Sequence, residues 1–573
     1  MIEGRKKNLC FPALVIAAFM SFTLCAAAQN YEEKSRQVDK LFERYGPETP
    51  GVSIRVVKNG KIVHSGDYGM ASLEHGVPIS SSTVFAIGSN SKQFTAFGIA
   101  LLAERGVIDL DADVRTYVPE VPEFGETITV RQLIHHVGGI RDWVRAAEFA
   151  GFTAGDAISL DLILEFIRRQ KALNFPPGER YMYSNTGYVL LAEVISRATG
   201  EPYPEWMKEN IFDPLGMTHT QVRATPYGIV PNMASSYYPA GDAYLNVKNG
   251  LSAYGSCCIL STIDDMAKWL RNYETASLGG EALIDTLEND SVNINKWDGR
   301  LVGYSFGLMR FAYKGLEGFF HSGQWVGFRS ATLRVPEQNL SIVALGNNGP
   351  SGNLREWDVL EIYAQDKAEK PERANDAETP TIEDLAVDID ERTLDSYAGV
   401  YNFGTDDGSS EILTVKREGD KLVIKFTTDR EPSTWTAISE NEFKSRPDGR
   451  TLGFKTDGRG PATAALWRGK AWPRTEPFNP DENALQEFAG TFLAREIDAV
   501  WRLAVEDGNL VARQWRWRDD KIIFSPTVTD EFRGDSAATR ARFVRNRKGK
   551  VIAVLVSGRR TLDIEFVRVA NVR

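Results

Sequence analysis

The last third of the chain repeats itself at an offset of roughly ninety residues. The stretch LDSYAGVYNF at Leu394 is similar to LQEFAGTFLA at Leu485, and NEFKSR at Asn441 is similar to DEFRGD at Asp530. Both copies alternate apolar and polar residues over short runs that are separated by Asp and Gly, a pattern typical of antiparallel strands joined by tight turns. Each copy is long enough to close as one small barrel or sheet, so the repeat predicts two successive all-β units.

The rest of the chain has a different pattern. Residues 30–365 mix strand-like runs with longer helical periods such as DLILEFIRRQKAL, and this mixture predicts an α/β domain. Residues 366–390 are highly charged, contain two prolines and lack an apolar period, which indicates a linker. We therefore predict that the two β units, at 391–484 and 485–573, follow this linker.

The N-terminus has the features of a secretory signal peptide. A basic start is followed by an apolar run and then by Cys25-Ala26-Ala27-Ala28, and the apolar run is too short for a convincing membrane span. We predict cleavage near Ala28, which would remove residues 1–28 and leave an exported chain, periplasmic or secreted, with no membrane span. Lipidation at Cys25 is the alternative, although the residues before it are a poor match to that signal.

Charge, cysteine content and residue spacing argue against nucleic-acid binding, a disulfide framework and a metal site. The chain of 573 residues has a formal net charge of −10 and no basic stripe, which argues against nucleic-acid binding. Only the adjacent pair Cys257 and Cys258 lies outside the predicted signal peptide, so we expect two small buried thiols rather than a disulfide framework. No cluster of metal-ligand spacing such as His-Glu-x-x-His is visible, and we expect neither a metal nor another cofactor.

The stretch FAIGSNSKQFTAFGIALLAERG predicts an amphipathic helix that opens at Ser89 and ends before Gly106. Lys92 lies three residues after Ser89 and therefore shares its helix face, which suits a nucleophile and its proton acceptor. Such a serine is often only an N-cap, but the chain contains a single Ser-x-x-Lys match.

A second motif follows a Pro-Pro-Gly turn in FPPGERYMYSNTGYVLLAEVI. Tyr183 and Asn185 are two residues apart, so both side chains point the same way where the chain is extended. Tyr183 can then pass protons while Asn185 either binds a substrate carbonyl or fixes the position of Lys92. The alternative is that Tyr183 packs and Asn185 caps the next helix, and Tyr244-Leu245-Asn246 repeats the same spacing elsewhere.

The third motif, His321-Ser322-Gly323 in FFHSGQWVGFRSATLRV, opens a predicted strand that ends near Val335. Glycine in a strand allows a ligand to approach the backbone closely. A structural role for the histidine is the alternative, and His64-Ser65-Gly66 has the same letters in an early predicted hairpin.

Taken in this order, the three motifs resemble those of the penicillin-recognising serine hydrolases, which include class C β-lactamases, DD-peptidases, esterases and D-aminopeptidases. The segments QLIHHVGGIRD and LSTIDDMAKWL, which flank the motifs, look like the same family. The resemblance covers roughly residues 35–350 and implies an α+β catalytic domain with an antiparallel sheet flanked by helices.

The resemblance implies acyl transfer through a serine ester. Ser89 is the expected nucleophile, and either Lys92 or a Tyr183 phenolate is the base. The backbone N–H groups of Ser89 and Gln324 would hold the oxyanion, and Asn185, His321 and Gly323 would help to bind the substrate.

Two positions depart from the family pattern. His321 stands where many relatives have the lysine of Lys-Thr-Gly, which weakens the β-lactamase and carboxypeptidase interpretations because a neutral histidine offers no cation. The pair Cys257-Cys258 occupies what looks like a Gly-Gly site, so the backbone there is expected to differ.

The tandem β units and His-x-Gly look most like the D-aminopeptidase branch, in which a loop of the last barrel reaches the active site. The comparable loop is expected at 527–540, where Asp530 or Asp535 would meet the ammonium of a small molecule or short peptide. An esterase, or a penicillin-binding sensor that is acylated without turnover, is the alternative. The sequence leaves the oligomeric state open.

Overall fold

A computed structural model describes residues 30–570 apart from short gaps. The gaps are 154, 297–299, 350–352, 365–384, 405–407, 409, 428, 430, 446–449, 458–459, 468, 515 and 517–519. The predicted signal peptide and most of the predicted linker therefore lie outside the described residues. Among the described residues, no helix combines the length and the apolar character that crossing a bilayer requires.

The helices lie mostly in the first two thirds of the chain. In chain order they are α1 (30–42), α2 (Ser91–Glu104), α3 (Val130–Ile134), α4 (Trp143–Phe149), α5 (Leu160–Arg169), α6 (Asn185–Thr199), α7 (Tyr203–Met207), α8 (Ile263–Thr275), α9 (Gly280–Asn289), α10 (Glu356–Ala364), α11 (Glu391–Tyr397) and α12 (Glu482–Gln486).

The chain forms two compact units, each assembled from separate stretches of sequence. The first contains the described residues of Met1–Ala112, Ala154–Leu160 and Tyr188–Pro371, and the second contains those of Asp113–Thr153, Asp161–Gly187 and Glu372–Arg573. The predicted domain boundaries, 30–365, 366–390, 391–484 and 485–573, stay predictions.

The first unit is built on an eight-stranded antiparallel sheet in the order β10-β11-β12-β13-β14-β15-β1-β2. Its strands and those of three smaller sheets are β1 (Val52–Lys58), β2 (Lys61–Tyr68), β3 (Met70–Ser72), β4 (Val77–Pro78), β5 (Phe85–Ala86), β6 (Gln221–Val222), β7 (Tyr237–Ala240), β8 (Ala243–Asn246), β9 (Ile259–Ser261), β10 (Val292–Lys296), β11 (Leu301–Tyr304), β12 (Met309–Tyr313), β13 (Leu316–Trp325), β14 (Phe328–Val335) and β15 (Leu340–Gly346).

Burial along the strands follows their position in this sheet. The interior strand β15 reads LSIVALG and is buried at every residue, and α8 and α10 pack against it. The edge strand β2 has exposed and buried residues interspersed. Asn59 and Gly60, both at positive φ, join β1 to β2 in the tight turn that an Asn-Gly pair favours.

Helix α2 differs from the predicted amphipathic helix in two ways. It begins at Ser91, because Phe85–Ala86 forms strand β5 and Gly88–Asn90 forms a single turn of 3-10 helix. It is also buried at every residue from Ser91 to Leu102, so it is a central helix without a solvent face. The predicted end is correct, since Gly106 has a φ of +71°.

The second unit contains two closed eight-stranded barrels, which confirms the prediction from the repeat. Their strands are β16 (Gly399–Gly404), β17 (Ser410–Glu418), β18 (Lys421–Phe426), β19 (Ser433–Ala437), β20 (Glu442–Ser445), β21 (Thr451–Lys455), β22 (Ala464–Trp467) and β23 (Lys470–Thr475), then β24 (Gly490–Ala494), β25 (Ala499–Glu506), β26 (Asn509–Gln514), β27 (Ile522–Val528), β28 (Glu531–Gly534), β29 (Arg540–Arg545), β30 (Val551–Gly558) and β31 (Thr561–Val569).

Each barrel begins with a short capped helix. Asp390 accepts a hydrogen bond from a backbone N–H in the first turn of α11, and Asp481 does the same in α12. Fully buried tryptophans, Trp435 and Trp501, lie in the two barrel cores. Closure pairs the first strand of each barrel with its last and leaves no open sheet edge.

Helix α4 joins the core of the second barrel. Phe149 is fully buried in that core, and its carbonyl accepts a hydrogen bond of 2.8 Å from Nε1 of Trp501. The helical part of the second unit, which includes the Tyr183 motif, is thereby packed against the barrel 485–573.

Candidate active site

Ser89 lies in the 3-10 turn immediately before α2. Nζ of Lys92 donates hydrogen bonds to Oγ of Ser89 at 3.2 Å and to the carbonyl of Ser256 at 2.8 Å. Lys92 has no exposed surface. A hydroxyl and a buried amine at hydrogen-bond distance form the pair that a serine nucleophile and its proton acceptor require.

Two glycines bring this turn against strand β13. A Cβ at Gly88, where φ is +52°, would lie 2.7 Å from the backbone nitrogen of Gln324. A Cβ at Gly323 would lie 1.9 Å from the carbonyl oxygen of Ile87. Only glycine allows backbones to approach this closely. The turn carrying Ser89 therefore abuts Gln324, an arrangement that lets two backbone amides converge on one oxyanion.

A buried polar network supports the turn, and sequence reasoning missed it. Nδ2 of Asn90 donates to Oγ of Ser330 at 2.6 Å, while Oδ1 of Asn90 accepts from Gln93 at 2.6 Å and from Thr332 at 2.9 Å. Nε1 of Trp269 donates to Gln93 at 3.1 Å. The signal that could have revealed it is the i, i+3 spacing of Asn90 and Gln93, two amides on one face of the predicted helix.

His321 is buried and uncharged. It lies within β13 and not at the start of the strand that ends at Val335, because a turn separates β13 from β14. Burial, together with the charge of Lys92, lowers the pKa of His321 to about 3. Its Nδ1 donates to the carbonyl of Ser322 at 2.8 Å, so Nε2 accepts from the hydroxyl of Tyr304 at 3.3 Å. His321 therefore supplies no cation at neutral pH.

The adjacent cysteines are free and buried, as predicted. Their sulfur atoms lie 3.2 Å apart, and both Cys257 and Cys258 lie 3.2 Å from the carbonyl of Ala253. Cys258 has a φ of +74°, a left-handed conformation that glycine adopts without strain. The backbone at Cys258 is therefore in a conformation that is strained for a residue with a Cβ.

In the second unit, Asp142 holds the Tyr183 motif in place. Its fully buried carboxylate accepts hydrogen bonds from the backbone N–H of Asn185 at 2.6 Å and from Nδ2 of Asn185 at 2.9 Å. It also accepts from the N–H of Val144 at 3.0 Å and so caps α4. The amide of Asn185 is thus oriented by an acidic residue that sequence reasoning did not single out, although it ends the segment QLIHHVGGIRD.

His136 supports the same corner. Its Nδ1 accepts a hydrogen bond of 3.1 Å from the N–H of Ser184, and its ring centroid lies 4.2 Å from that of Tyr183. The half-buried Tyr183 ring is therefore held between its own loop and a buried imidazole.

The second copies of the Tyr-x-Asn and His-Ser-Gly patterns, at Tyr244 and His64, lie elsewhere in the first unit. Tyr244 and Asn246 belong to the exposed hairpin strand β8. His64 lies in β2, in the predicted early hairpin, and its Nδ1 is hydrogen bonded to Ser35 at 2.7 Å. Neither belongs to the Ser89 turn or to the Tyr183 corner.

The acidic residues expected in the loop 527–540 are engaged within their own barrel. Asp530 forms an ion pair with Arg545 at 2.8 Å, and Asp535 accepts a hydrogen bond from the N–H of Ile523. The second barrel also brings Arg560 to Tyr183, and the guanidinium carbon of Arg560 lies 5.3 Å from the centroid of the Tyr183 ring.

The first unit therefore brings together five of the seven predicted site residues. They are Ser89, Lys92, His321, Gly323 and Gln324. The other two, Tyr183 and Asn185, lie together in the second unit, on the loop and the first residue of α6.

Comparison with known proteins identifies the family of this chain. The Beta-lactamase family model matches residues 38–364. The chain is 27% identical over 479 residues to a D-aminopeptidase of Cereibacter sphaeroides (strain ATCC 17029 / ATH 2.4.9), covering 81% of this chain and 83% of that protein. It is 29% identical over 339 residues to penicillin-binding protein 4* of Bacillus subtilis (strain 168), covering 55% of this chain and 72% of that protein.

The fold has a counterpart among solved structures. An octameric penicillin-binding protein homologue from Pyrococcus abyssi superposes with a TM-score of 0.51 and 22% identity, over 89% of this chain and 99% of that chain. The family model covers more than half of the chain and includes the Ser89, Tyr183 and His321 motifs. This protein is a serine hydrolase that belongs to the beta-lactamase family.

Proposed function

We propose that this chain is a D-aminopeptidase-like peptidase that cleaves an amide bond through an acyl-Ser89 intermediate. The observation that carries the proposal is the hydrogen bond from the buried Lys92 to Ser89, in a turn that abuts the backbone of Gln324. Similarity to a D-aminopeptidase over 81% of the chain supports the choice of substrate.

In the proposed reaction, Oγ of Ser89 attacks the substrate carbonyl carbon while Lys92 or the Tyr183 phenolate accepts its proton. The N–H groups of Ser89 and Gln324 stabilise the oxyanion. The carbonyl–nitrogen bond then breaks, and Tyr183 donates a proton to the departing amine. Water attacks the ester, releases the acid and regenerates Ser89. The role of Tyr183 rests on its motif and on the family.

Hydrolysis of a D-alanyl anilide, its L-alanyl counterpart and a short p-nitrophenyl ester by wild type and Ser89→Ala tests the proposal. We expect wild type to cleave the D-anilide in preference to the L-anilide, and Ser89→Ala to lose at least about a thousandfold in kcat. Thr218→Ala, a change at an exposed hydroxyl, is the control and should match wild type. Turnover by Ser89→Ala at the wild-type rate would overturn the assignment of the nucleophile.

Two other outcomes would replace the proposed substrate. Cleavage of the ester without cleavage of either anilide would favour an esterase. A stoichiometric burst with no steady-state release would favour a penicillin-binding sensor that stays acylated at Ser89.

We further propose that the protein is exported and that its mature form begins near Gln29. The support is the basic start, the apolar run and the Ala-rich end of residues 1–28. Mass spectrometry of the protein recovered from the periplasm or the medium should show loss of these residues. Retention of the full-length chain in the cytoplasm would contradict export.

A further inference from the structure

The turn between β30 and β31 is attached to the Tyr183 corner by its backbone. The carbonyl of Arg560 accepts hydrogen bonds from the N–H of Asp142 at 3.1 Å and from Nδ2 of Asn174 at 3.0 Å. The Thr561 hydroxyl donates to the carbonyl of Asp142 at 2.6 Å, and the N–H of Leu562 donates to Asn174 at 2.9 Å. Four hydrogen bonds fix the turn, so the base of the Arg560 side chain has a defined position.

The guanidinium of Arg560 lies over the ring of Tyr183. The distance from its central carbon to the ring centroid is 5.3 Å, within the range of a cation–π contact. Its side chain is 30% exposed, whereas the nearest carboxylate, that of Asp142, is fully buried and lies 3.9 Å away. This cation is therefore accessible to a ligand that reaches Tyr183.

Asp142 only partly neutralises this cation. Its carboxylate already accepts three hydrogen bonds, two from Asn185 and one from Val144. The distance of 3.9 Å to Arg560 is too long for a direct hydrogen bond. An incoming carboxylate can therefore form the bidentate pair with Arg560 that Asp142 does not form.

The first unit offers no cation at the position where relatives with Lys-Thr-Gly carry one. His321 is buried there, and its lowered pKa leaves the imidazole neutral. If the enzyme recognises a substrate carboxylate, the positive charge that pairs with it must come from a residue other than His321.

We propose that Arg560 binds the carboxylate of the leaving amino acid, so that preferred substrates are short peptides with a free carboxylate on the leaving side. The inference rests on the proposed function, in which Tyr183 protonates the departing amine and the leaving group therefore passes beside the Tyr183 ring. It differs from the expectation of an acidic barrel loop that meets an ammonium, because the barrel brings a cation to this corner.

Three substrates separate the inference from the proposed function. They are D-alanyl-D-alanine, its C-terminal carboxamide and a neutral p-nitrophenyl ester. We expect wild type to prefer the free dipeptide over the carboxamide, and Arg560→Gln to lose about tenfold in kcat/KM on the dipeptide, mainly through KM. Hydrolysis of the carboxamide and the ester should change little. Arg560→Lys should restore part of the preference, because the charge remains while the bidentate geometry is lost.

Arg559→Gln is the matched control, since it removes the same charge from an exposed position in the same turn. It should leave all three rates at wild-type values. An unchanged dipeptide preference in Arg560→Gln, or an equal loss in Arg559→Gln, would overturn the assignment to Arg560 while leaving the proposed function intact. Absence of any turnover by wild type on all three substrates would instead overturn the proposed function.

Discussion

The protonation of one buried side chain, His321 in strand β13, makes the stability of the protein depend on pH. Its pKa falls from 6.5 in a free side chain to about 3 in the folded protein, chiefly through burial and secondarily through the charge of Lys92. Below pH 6.5 the unfolded chain binds a proton that the folded chain does not, so stability decreases as the pH falls toward 3.

Removing the His321 imidazole should make the free energy of unfolding depend less on pH. We expect His321→Gln to lose about 2 kcal/mol less of the free energy of unfolding than wild type between pH 7 and pH 5. Urea denaturation at both pH values measures the difference. His75→Gln, at an exposed position, is the control and should follow wild type. Parallel pH profiles for all three proteins would mean that His321 is not buried as a neutral group.

The two Tyr-x-Asn sequences give a second prediction at the residue scale. Tyr183→Phe removes the hydroxyl from the ring that packs against His136 and should reduce kcat by at least about a hundredfold, because that hydroxyl is the proposed proton donor. Tyr244→Phe removes the same atom from an exposed hairpin and should be active. Steady-state hydrolysis of the D-anilide compares the two, and equal activities would argue against Tyr183 as the donor.

At the scale of elements, the contact between the Ser89 turn and β13 depends on glycine. Gly323→Ala would place a Cβ 1.9 Å from the carbonyl of Ile87 and 2.3 Å from Oγ of Ser330. The strand must move away from the turn, at a cost of about 3 kcal/mol in the free energy of unfolding. Because Gln324 moves with the strand, we expect most of the hydrolytic activity to be lost as well.

Gly46→Ala is the control for this substitution, since a Cβ there has no atom within 4 Å and φ is not positive. Thermal unfolding and ester hydrolysis of both variants provide the measurement. Wild-type stability together with wild-type activity in Gly323→Ala would show that the close approach is not required.

At the scale of the whole molecule, a buried ion pair joins distant parts of the second unit. Arg141 lies just before α4, Glu496 follows β24, and their side chains meet at 2.6 Å with almost no exposure. Burial raises the pKa of Glu496 even with the guanidinium beside it, so desolvation outweighs pairing for this carboxyl. Either partner left alone would be a buried, uncompensated polar or charged group.

Single substitutions should therefore cost more than the double one. We expect Arg141→Met to lose about 3 kcal/mol of the free energy of unfolding, and the double variant with Glu496→Met to recover much of that loss. The exposed pair Arg513 and Glu506 is the control, and breaking it should cost less than about 1 kcal/mol. Denaturant unfolding of wild type, Arg141→Met, Glu496→Met and the double variant measures the coupling, and additive effects would show that the pair is not a unit.

Local sequence was sufficient for much of the architecture. The barrels followed from short-range alternation and from the repeat, because a strand's side-chain period and its turn residues are encoded within a few positions. The pair Ser89 and Lys92 followed from helical spacing for the same reason, even though the helix itself begins two residues later, at Ser91. The order of the Ser89, Tyr183 and His321 motifs along the chain was sufficient to identify the family.

Long-range packing decided the rest. Asn90 gains its role from Ser330 and Thr332, which are more than 200 positions away along the chain. The same holds for Asp142, whose partners include Thr561. The sequence placed an acidic loop of the last barrel near the substrate, whereas the structure brings Arg560 to Tyr183. A turn's composition is visible along the chain, but which turn meets which motif depends on how the closed barrel packs against α4, and no local period encodes that choice.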